Sequence, residues 1–249
     1  DIFYRQADYI TVGNQKEYKK YIKNFNYNKN QISIIKHGIY NLFDNNLYDK
    51  KIARILLNVP LDKTVLLFFG FLKEFKGLEY LIDALRILKD EKQNVVLYIA
   101  SALKYAPKKL VNDILSKIHR LELNDNLILN LNYLDINDIE AVFKASDVSV
   151  LPYTNASQSG VLMMSIGFKK PVIITDTFAE KEWIDKKVGL VAKAKDAKDL
   201  AKKIKLIISN KQKFNEYGEY GYQYGMKNLN WQDISQQYYE IFRKTLDNH

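Results

Sequence analysis

Hydrophobic residues in this chain fall in short continuous runs, and these runs alternate with longer segments in which apolar residues recur every three or four positions. The continuous runs predict eight strands, at residues 9–12, 32–35, 65–70, 95–100, 127–130, 148–151, 172–175 and 190–192. Runs without a two-residue alternation are typical of strands that are covered on both faces. The pattern therefore predicts a parallel sheet that is flanked by helices.

The segments between these runs predict amphipathic helices. Apolar residues at 78, 81, 82, 85 and 88 have the spacing of one buried helical face, and similar spacing recurs over 111–118 and 200–208. Repetition of strand and helix predicts an α/β fold with a doubly wound, Rossmann-like parallel sheet. Two further helices are predicted after Asn210, the first interrupted by Gly218, Gly221 and Gly225 and the second covering 231–246.

Changes in polarity and in the predicted secondary structure divide the chain into four regions. Residues 1–40 are a short βαβ unit that is too small to bury a sheet alone, and 41–60 are a polar linker. Residues 61–210 hold about six strands, which is the size of one Rossmann-like domain, and 211–249 hold the C-terminal helices. Because the chain starts at Asp1 and shows no signal peptide, we expect it to start inside a longer protein.

Composition narrows the functions that are open to the chain. Of 249 residues, 47% are hydrophobic and 27% are charged, which indicates a globular protein, and no apolar run approaches the ~20 residues of a membrane-spanning helix. The absence of cysteine excludes disulfides and cysteine-ligated metals, and three histidines argue against a histidine metal cluster. The net charge of +9 permits an anionic ligand, a nucleic acid or an anionic membrane surface. Scattered basic residues without a recognised nucleic-acid motif argue against nucleic acid.

Loops that follow the strands are the places to look for chemistry, because open α/β sheets bind ligands outside the carboxyl ends of their strands. In the loop after the first main strand, Gly70 allows a close approach of ligand to backbone, and Lys73 and Lys76 are spaced to reach one pyrophosphate. A solvated basic turn has the same sequence. His37, at another strand end, fits either a ligand contact or a structural histidine.

Two later loops offer comparable chemistry. Residues 154–161 lead into a helix that Ser157 or Ser159 can cap, while Gly160 leaves backbone N–H groups open to a phosphate. Capping alone would need the same residues. After the strand at 172–175, the carboxylate of Glu182 could accept hydrogen bonds from a ribose diol, or could stabilise the start of a helix.

The ordered set of these loops resembles a known family. The chain contains, in this order, FFGFLKEFKGLEYLIDAL, DIEAVFKASDVSVLPYTNASQSGVL and GFKKPVIITD with Glu182. This order resembles the nucleotide-binding C-terminal half of a retaining GT-B glycosyltransferase of family 4 (group 1). ADYITVGNQKEYKKYI followed by ISIIKHGI resembles the last strand, helix and strand of the N-terminal domain, and helix 231–246 resembles the terminal helix that crosses back toward that domain.

The resemblance implies a retaining hexosyltransferase that moves a sugar from a nucleotide-diphosphate donor to a hydroxyl of a saccharide or lipid-linked acceptor, in surface polysaccharide or glycolipid synthesis. It implies that Lys76 and Lys73 neutralise the donor diphosphate and that Ser159, Gly160 and Val161 offer it backbone N–H groups. It places Glu182 on the donor ribose and Asn132 or Tyr133 at the base. No catalytic nucleophile is assigned. Since the chain has no Asp-x-Asp pair, neither a metal nor another cofactor is expected.

The chain departs from the family at one point. Many members carry two glutamates separated by seven residues, and Ala156 and Met164 occupy those positions here, as in a subgroup with Ser-Gly-Val in this loop. A GT-B enzyme has two domains of ordinary size, so the resemblance leads us to expect that this chain is a fragment without most of the N-terminal domain. We expect a cytoplasmic protein, in which the basic segment 16–23 is either a solvated helix face or a peripheral contact with an anionic membrane. The alternative is a truncated or non-catalytic nucleotide-sugar-binding module.

Overall fold

The computed structural model describes residues 7–25, 27–41, 47–103, 106–185 and 187–246. Its strands are β1 (Ile10–Val12), β2 (Ile32–Ile34), β3 (Thr64–Phe69), β4 (Val95–Ala100), β5 (Leu127–Asn130), β6 (Val148–Leu151), β7 (Val172–Thr175) and β8 (Gly189–Ala192). All eight predicted strands form, and their ends agree with the sequence pattern to within one residue.

Ten helices connect or follow these strands in the described part of the chain. They are α1 (Gln15–Phe25), α2 (Lys50–Leu56), α3 (Leu78–Asp90), α4 (Lys108–Arg120), α5 (Ile136–Ala145), α6 (Gly160–Gly167), α7 (Lys181–Ile184), α8 (Ala197–Ser209), α9 (Lys211–Asn228) and α10 (Trp231–Leu246). Short 3₁₀ turns cover Lys29–Gln31, Glu74–Lys76 and Asn124–Asn126. Helix α2 lies within the polar segment 41–60. No helix in the described ranges has both the length and the apolar character to cross a membrane.

Strands β3 to β8 form one parallel sheet in the order β5-β4-β3-β6-β7-β8, and β1 and β2 form a separate parallel pair. This is the predicted Rossmann-like, doubly wound arrangement. From β3 the chain runs outward to β5, returns to β6 beside β3, and then runs outward in the other direction. The carboxyl ends of β3 and β6 therefore meet at the switch point of the sheet, where ligands bind in folds of this class.

Hydrophobic packing covers both faces of the sheet. In β3, Leu66 and Phe68 pack into the core beneath α3 and α8, while Val65 and Leu67 pack into the opposite core with Phe143 of α5. All four β3 side chains are at most 1% exposed. Burial on both faces explains why the strands appear as continuous apolar runs in the sequence.

Helix α9 corrects one prediction. Gly218, Gly221 and Gly225 do not interrupt this helix, which is continuous from Lys211 to Asn228. Instead they lie where α9 touches the domain: a Cβ on Gly218 would lie 2.0 Å from the Lys169 carbonyl oxygen, and one on Gly225 would lie 2.6 Å from Ile39 Cδ1. Glycine lowers the intrinsic stability of a helix, but a larger residue at these positions would prevent α9 from packing this closely against the domain.

A buried charge cluster holds α2 against the amino ends of β3 and β6. Asp147 accepts hydrogen bonds from the Val65 amide and from Arg54, each at 2.7 Å, and pairs with Lys50. Burial alone would raise the pKa of Asp147, but the hydrogen bond and charge of Lys50, the Val65 amide and the charge of Arg54 together lower it. Near this cluster, burial lowers the pKa of Lys170 to about 7, with the charge of Lys50 as the next contribution.

Candidate functional site

The loop after β3 is held in a defined shape by two glycines with positive φ. Gly70 has φ +100° and Gly77 has φ +65°. A Cβ on Gly77 would lie 2.1 Å from the carbonyl oxygen of Pro152, so only glycine allows this loop to approach the loop after β6 so closely. The amide of Thr154 donates to the carbonyl of Phe75 at 2.8 Å and joins the same two loops. The two loops at the switch point thus form one surface.

Lys76 is the buried cation of this surface. Its residue is only 8% exposed, and its Nζ donates to the Phe69 carbonyl at 3.3 Å and lies 5.5 Å from the centre of the Tyr153 ring. No carboxylate of the described residues forms an ion pair with it. Burial lowers the pKa of Lys76 to about 8. An ammonium that is buried without a counter-ion gains most when an anion arrives. Lys73 is exposed and precedes the 3₁₀ turn.

The start of α6 lies against this lysine loop. Ser159 is the N-cap, since its Oγ accepts a hydrogen bond from the Leu162 amide at 3.2 Å. Gly160 and Val161 are the first two helical residues, whose N–H groups have no acceptor within a helix. A Cβ added to Gly70 would lie 2.5 Å from Lys76 Nζ and 3.3 Å from Val161 Cγ2. The structure therefore brings Gly70, Lys76 and Val161 together.

An apolar cavity of about 190 Å³ opens beside Gly70. Its lining is Phe69, Gly70, Phe71, Ala100, Ala102, Asn132, Tyr133, Leu134 and Ile139. Tyr133 stands at the rim, 76% exposed, where its ring is free to stack on a planar ligand. Asn132 and Tyr133, predicted at the base, are thus next to the loop that carries the predicted diphosphate lysine.

A second cavity, of about 360 Å³, lies where the β1–β2 unit meets the main domain. Its lining is Gly13, Asn14, Gln15, Lys16, Lys36, His37, Met163, Ala179, Glu180, Glu182, Trp183 and Leu229. It shares no lining residue with the apolar cavity. Glu182 lines this second cavity, whereas Asn132 and Tyr133 line the apolar one.

Glu180 was not predicted as a site residue. Its Oε2 is buried in the described structure without a hydrogen-bond partner, and burial raises the pKa of its carboxyl. Glu180, Asn14 and Lys36 all lie in this second cavity, and Asn14 and Lys36 follow the carboxyl ends of β1 and β2. At the end of β2 the sequence analysis singled out His37 and not its neighbour Lys36, and at the end of β1 it singled out no residue, although Asn14 follows that strand by two positions.

His37 lines the second cavity and lies close to the start of α6. Its Nδ1 is 2.7 Å from the carbonyl oxygen of Gly38, and its ring lies edge-on to Trp231 with the centroids 5.6 Å apart. A Cβ added to Gly160 would lie 3.6 Å from His37 Nε2 and 3.5 Å from the Tyr40 hydroxyl oxygen. The first turn of α6 therefore lies close to the segment after β2, through Gly160, and to the loop after β3, through Val161.

Two positions where many relatives of the resembled family carry acids are apolar here and packed. Ala156 is 7% exposed and belongs to the core around α6, while Met164 packs against the core beneath α5. Among the described residues, no group of three or more histidine, aspartate or glutamate side chains is arranged to hold a metal ion.

Comparisons with known proteins agree with this architecture. The family model described as "Glycosyl transferases group 1" matches residues 49–224. A sucrose-phosphate synthase from Thermosynechococcus elongatus superposes with a TM-score of 0.84 and 22% identity, covering 98% of this chain and 60% of that one. A glycosyltransferase from Rickettsia africae gives 0.85 and 18% identity, covering 100% and 67%. No curated protein sequence matches significantly.

The structure of HepE from Anabaena in complex with UDP-glucose gives a TM-score of 0.82 and 20% identity, covering 95% of this chain and 64% of that one. At these identities the likeness shows the fold alone. The chain spans about three fifths to two thirds of the length of these three structures.

Proposed function

The chain belongs to the group 1 glycosyl transferases, and from that premise we propose that it is the donor-binding part of a retaining transferase that uses a nucleotide-diphosphate sugar. The observation that carries the proposal is Lys76: an ammonium that is 8% exposed, has no carboxylate partner among the described residues and lies beside the first turn of α6. The fold alone would not require a buried, uncompensated cation at this place.

In this proposal the donor diphosphate lies over Gly70 and accepts hydrogen bonds from Lys76 and from the N–H groups at the start of α6, at Ser159, Gly160 and Val161. The base enters the apolar cavity and stacks on Tyr133 beside Asn132, while Lys73 adds charge at the solvent side. Glu182 stays assigned to the donor ribose by resemblance only, because it lies in the other cavity.

The chemistry that these groups supply is electrostatic. When the glycosidic bond breaks, negative charge grows on the leaving diphosphate, and a lysine together with helix N–H groups in a water-poor site stabilises that charge without reorganising. We propose that this suffices without a metal or another cofactor. The sugar passes to a hydroxyl of a saccharide or lipid-linked acceptor with retention of configuration, and surface polysaccharide or glycolipid synthesis is the proposed setting.

Acceptor binding is assigned to an N-terminal domain that residues 1–40 would complete. We propose a cytoplasmic enzyme whose contact with the inner face of the membrane would use α1, which carries four lysines. The second candidate is a nucleotide-sugar-binding module without activity. It is favoured by the apolar residues at positions 156 and 164, which leave no carboxylate there for a donor sugar.

The test is calorimetric titration with UDP, GDP and ADP and their sugars, on wild type, Lys76→Ala and Lys198→Ala. Lys198 is an exposed lysine of α8 and serves as the matched control. Loss of one charged hydrogen bond to the diphosphate should weaken binding about 10- to 100-fold in Lys76→Ala and leave Lys198→Ala unchanged. Equal affinity in all three proteins would refute the diphosphate site.

Sugar transfer separates the two candidates. Transfer or donor hydrolysis is measured in this chain and in a form extended by an N-terminal domain. Activity in the extended form alone supports the enzyme, and donor binding with activity in neither form supports the module.

A further inference from the structure

We propose that α2 and the cavity beside it form a docking surface for an anionic phospholipid bilayer, with lipid phosphates in the cavity and the outer face of α2 among the acyl chains. This surface is separate from the α1 contact proposed above and does not depend on the donor site. Lys63 directly precedes β3 and Asp147 directly precedes β6, whereas the donor loops follow those strands. The six residues of β3 put about 20 Å between the two edges of the sheet.

The outer face of α2 is apolar, although a surface helix normally carries polar residues there. Ala53 and Arg54 face the domain and are at most 4% exposed. On the opposite side of the helix, Ile52, Ile55 and Leu56 are 47% to 58% exposed. Neighbouring aliphatic side chains that are left in water in this way mark a surface for an apolar partner.

The cavity beside this face has an excess of positive charge. Its volume is about 390 Å³, and its lining is Lys50, Lys51, Arg54, Leu61, Lys63, Asp147 and Lys211. The five basic side chains share one carboxylate, which already pairs with Arg54 and Lys50. Lys51, Lys63 and Lys211 form no ion pair with any described residue. The cavity can therefore accept phosphate groups without displacing an internal partner.

A bilayer fits these two features better than other partners do. Aliphatic and cationic side chains next to each other match the acyl chains and phosphates of an anionic lipid layer. A second copy that docked symmetrically would bring the lysines of one cavity against those of the other. The β1–β2 unit, and any domain that it completes, approaches from the carboxyl edge, where Gln158 Nε2 donates to the Ile35 carbonyl at 3.4 Å. A soluble polyphosphate would use the lysines and leave the aliphatic face in water.

Vesicle flotation of the whole chain tests the surface. Wild type should float with phosphatidylcholine vesicles that contain about 30% phosphatidylglycerol and should not float with phosphatidylcholine alone, because the lysines need anionic headgroups. Lys51→Gln/Lys211→Gln should weaken the partitioning about 10- to 30-fold. Ile55→Ser/Leu56→Ser should weaken it about tenfold, because less apolar surface enters the bilayer.

Matched controls come from α8, which carries exposed lysines and an exposed leucine. Lys198→Gln/Lys202→Gln and Leu206→Ser should partition as wild type does. All the replaced side chains, on α2, on α8 and at Lys211, are exposed, so each variant should keep its fold, which urea unfolding checks.

A second measurement reports insertion directly. The chain has no cysteine, so Ile55→Cys and Leu206→Cys each provide a single site for an environment-sensitive NBD dye. Emission from position 55 should brighten and shift to the blue on anionic vesicles, whereas emission from position 206 should not change.

Four results would overturn the inference. They are absence of wild-type binding to either vesicle, full binding by both α2-face variants, loss of binding only in the α1 variant Lys19→Gln/Lys20→Gln, and loss in the lysine variant alone with no change at position 55. The last result would indicate an anion site without a bilayer. UDP affinity is measured on the same proteins and should equal that of wild type in the variants of this surface. Failure of the docking surface and failure of the donor site are therefore distinguished.

Discussion

Replacement of Lys76 by methionine tests the central electrostatic claim with little change in shape. Methionine is unbranched and of similar length, so it can occupy the space beneath Gly70 while removing the charge. The free protein should not lose stability, because in wild type a buried ammonium with only the Phe69 carbonyl and the Tyr153 ring as partners is itself a cost. The variant should bind the diphosphate more weakly than wild type, and its affinity should no longer carry the pH dependence that Lys76 causes.

The size of the effect follows from the lowered pKa of about 8. In the free wild-type protein about nine tenths of Lys76 is protonated at pH 7 and about one tenth at pH 9. If only the protonated form binds the diphosphate, wild-type affinity relative to Lys76→Met should fall about tenfold between these pH values, which is about 1.4 kcal/mol. The diphosphate itself does not change charge over this range, since phosphate groups titrate near pH 6.

The assay is calorimetric titration with UDP at half-unit steps from pH 6.5 to 9. The wild-type and Lys76→Met affinities should be farthest apart at the acid end and converge toward pH 9. A ratio that stays constant across the range would mean that Lys76 keeps its proton throughout, and the argument from burial would be wrong. A ratio near one at every pH would mean that Lys76 does not contact the diphosphate.

Four further variants test the framework of the site by urea unfolding. Gly77→Ala should cost about 2 kcal/mol or more, since φ is +65° and its Cβ would meet Pro152 at 2.1 Å, whereas Gly160→Ala, with nothing closer than 3.5 Å, should stay within about 0.5 kcal/mol of wild type. Asp147→Asn should cost about 3 kcal/mol at pH 7, because Arg54 is left buried without its counter-ion; a loss below about 1 kcal/mol would contradict this. For Lys170, the folded protein releases its proton near pH 7 and the unfolded chain keeps it to about pH 10.5, so unfolding free energy should rise from pH 7 to pH 10. Relative to Lys170→Met, that rise should be about 2 to 4 kcal/mol, and parallel pH profiles would refute it.

The fold could be predicted from the sequence because its main signal is local. A strand such as β3, with both faces buried, has to be a continuous apolar run, and a helix on one face has to repeat its apolar residues every three or four positions. Gly218 and Gly225 misled this reading, since helix propensity considers the helix alone. Their reason for being there is the approach of α9 to Lys169 and Ile39, which is a tertiary contact.

The site was only half predictable, for a related reason. Two lysines three residues apart look equivalent in the sequence, and only the turn at Gly77 decides that Lys76 is buried and Lys73 is exposed. The positions of strand ends in the sequence predict which loops lie at the same edge of the sheet. They do not predict how far apart two such loops are along that edge. Since β6 separates β3 from β7, and neighbouring strands are about 4.8 Å apart, the loop that carries Glu182 starts about 10 Å from the Lys76 loop.

Burial of Lys76 has a further physical consequence. A fixed cation at this place would oppose folding of the free protein, because the described surroundings offer Lys76 no carboxylate. A lysine can lose its proton and so avoid part of that cost when no ligand is present, and it regains the proton when a diphosphate brings the compensating charge. An arginine in place of Lys76 would hold its charge at every pH and would therefore carry the desolvation cost in the free protein as well. On this reasoning, a lysine at position 76 leaves the free protein with less buried charge above pH 8 than an arginine would.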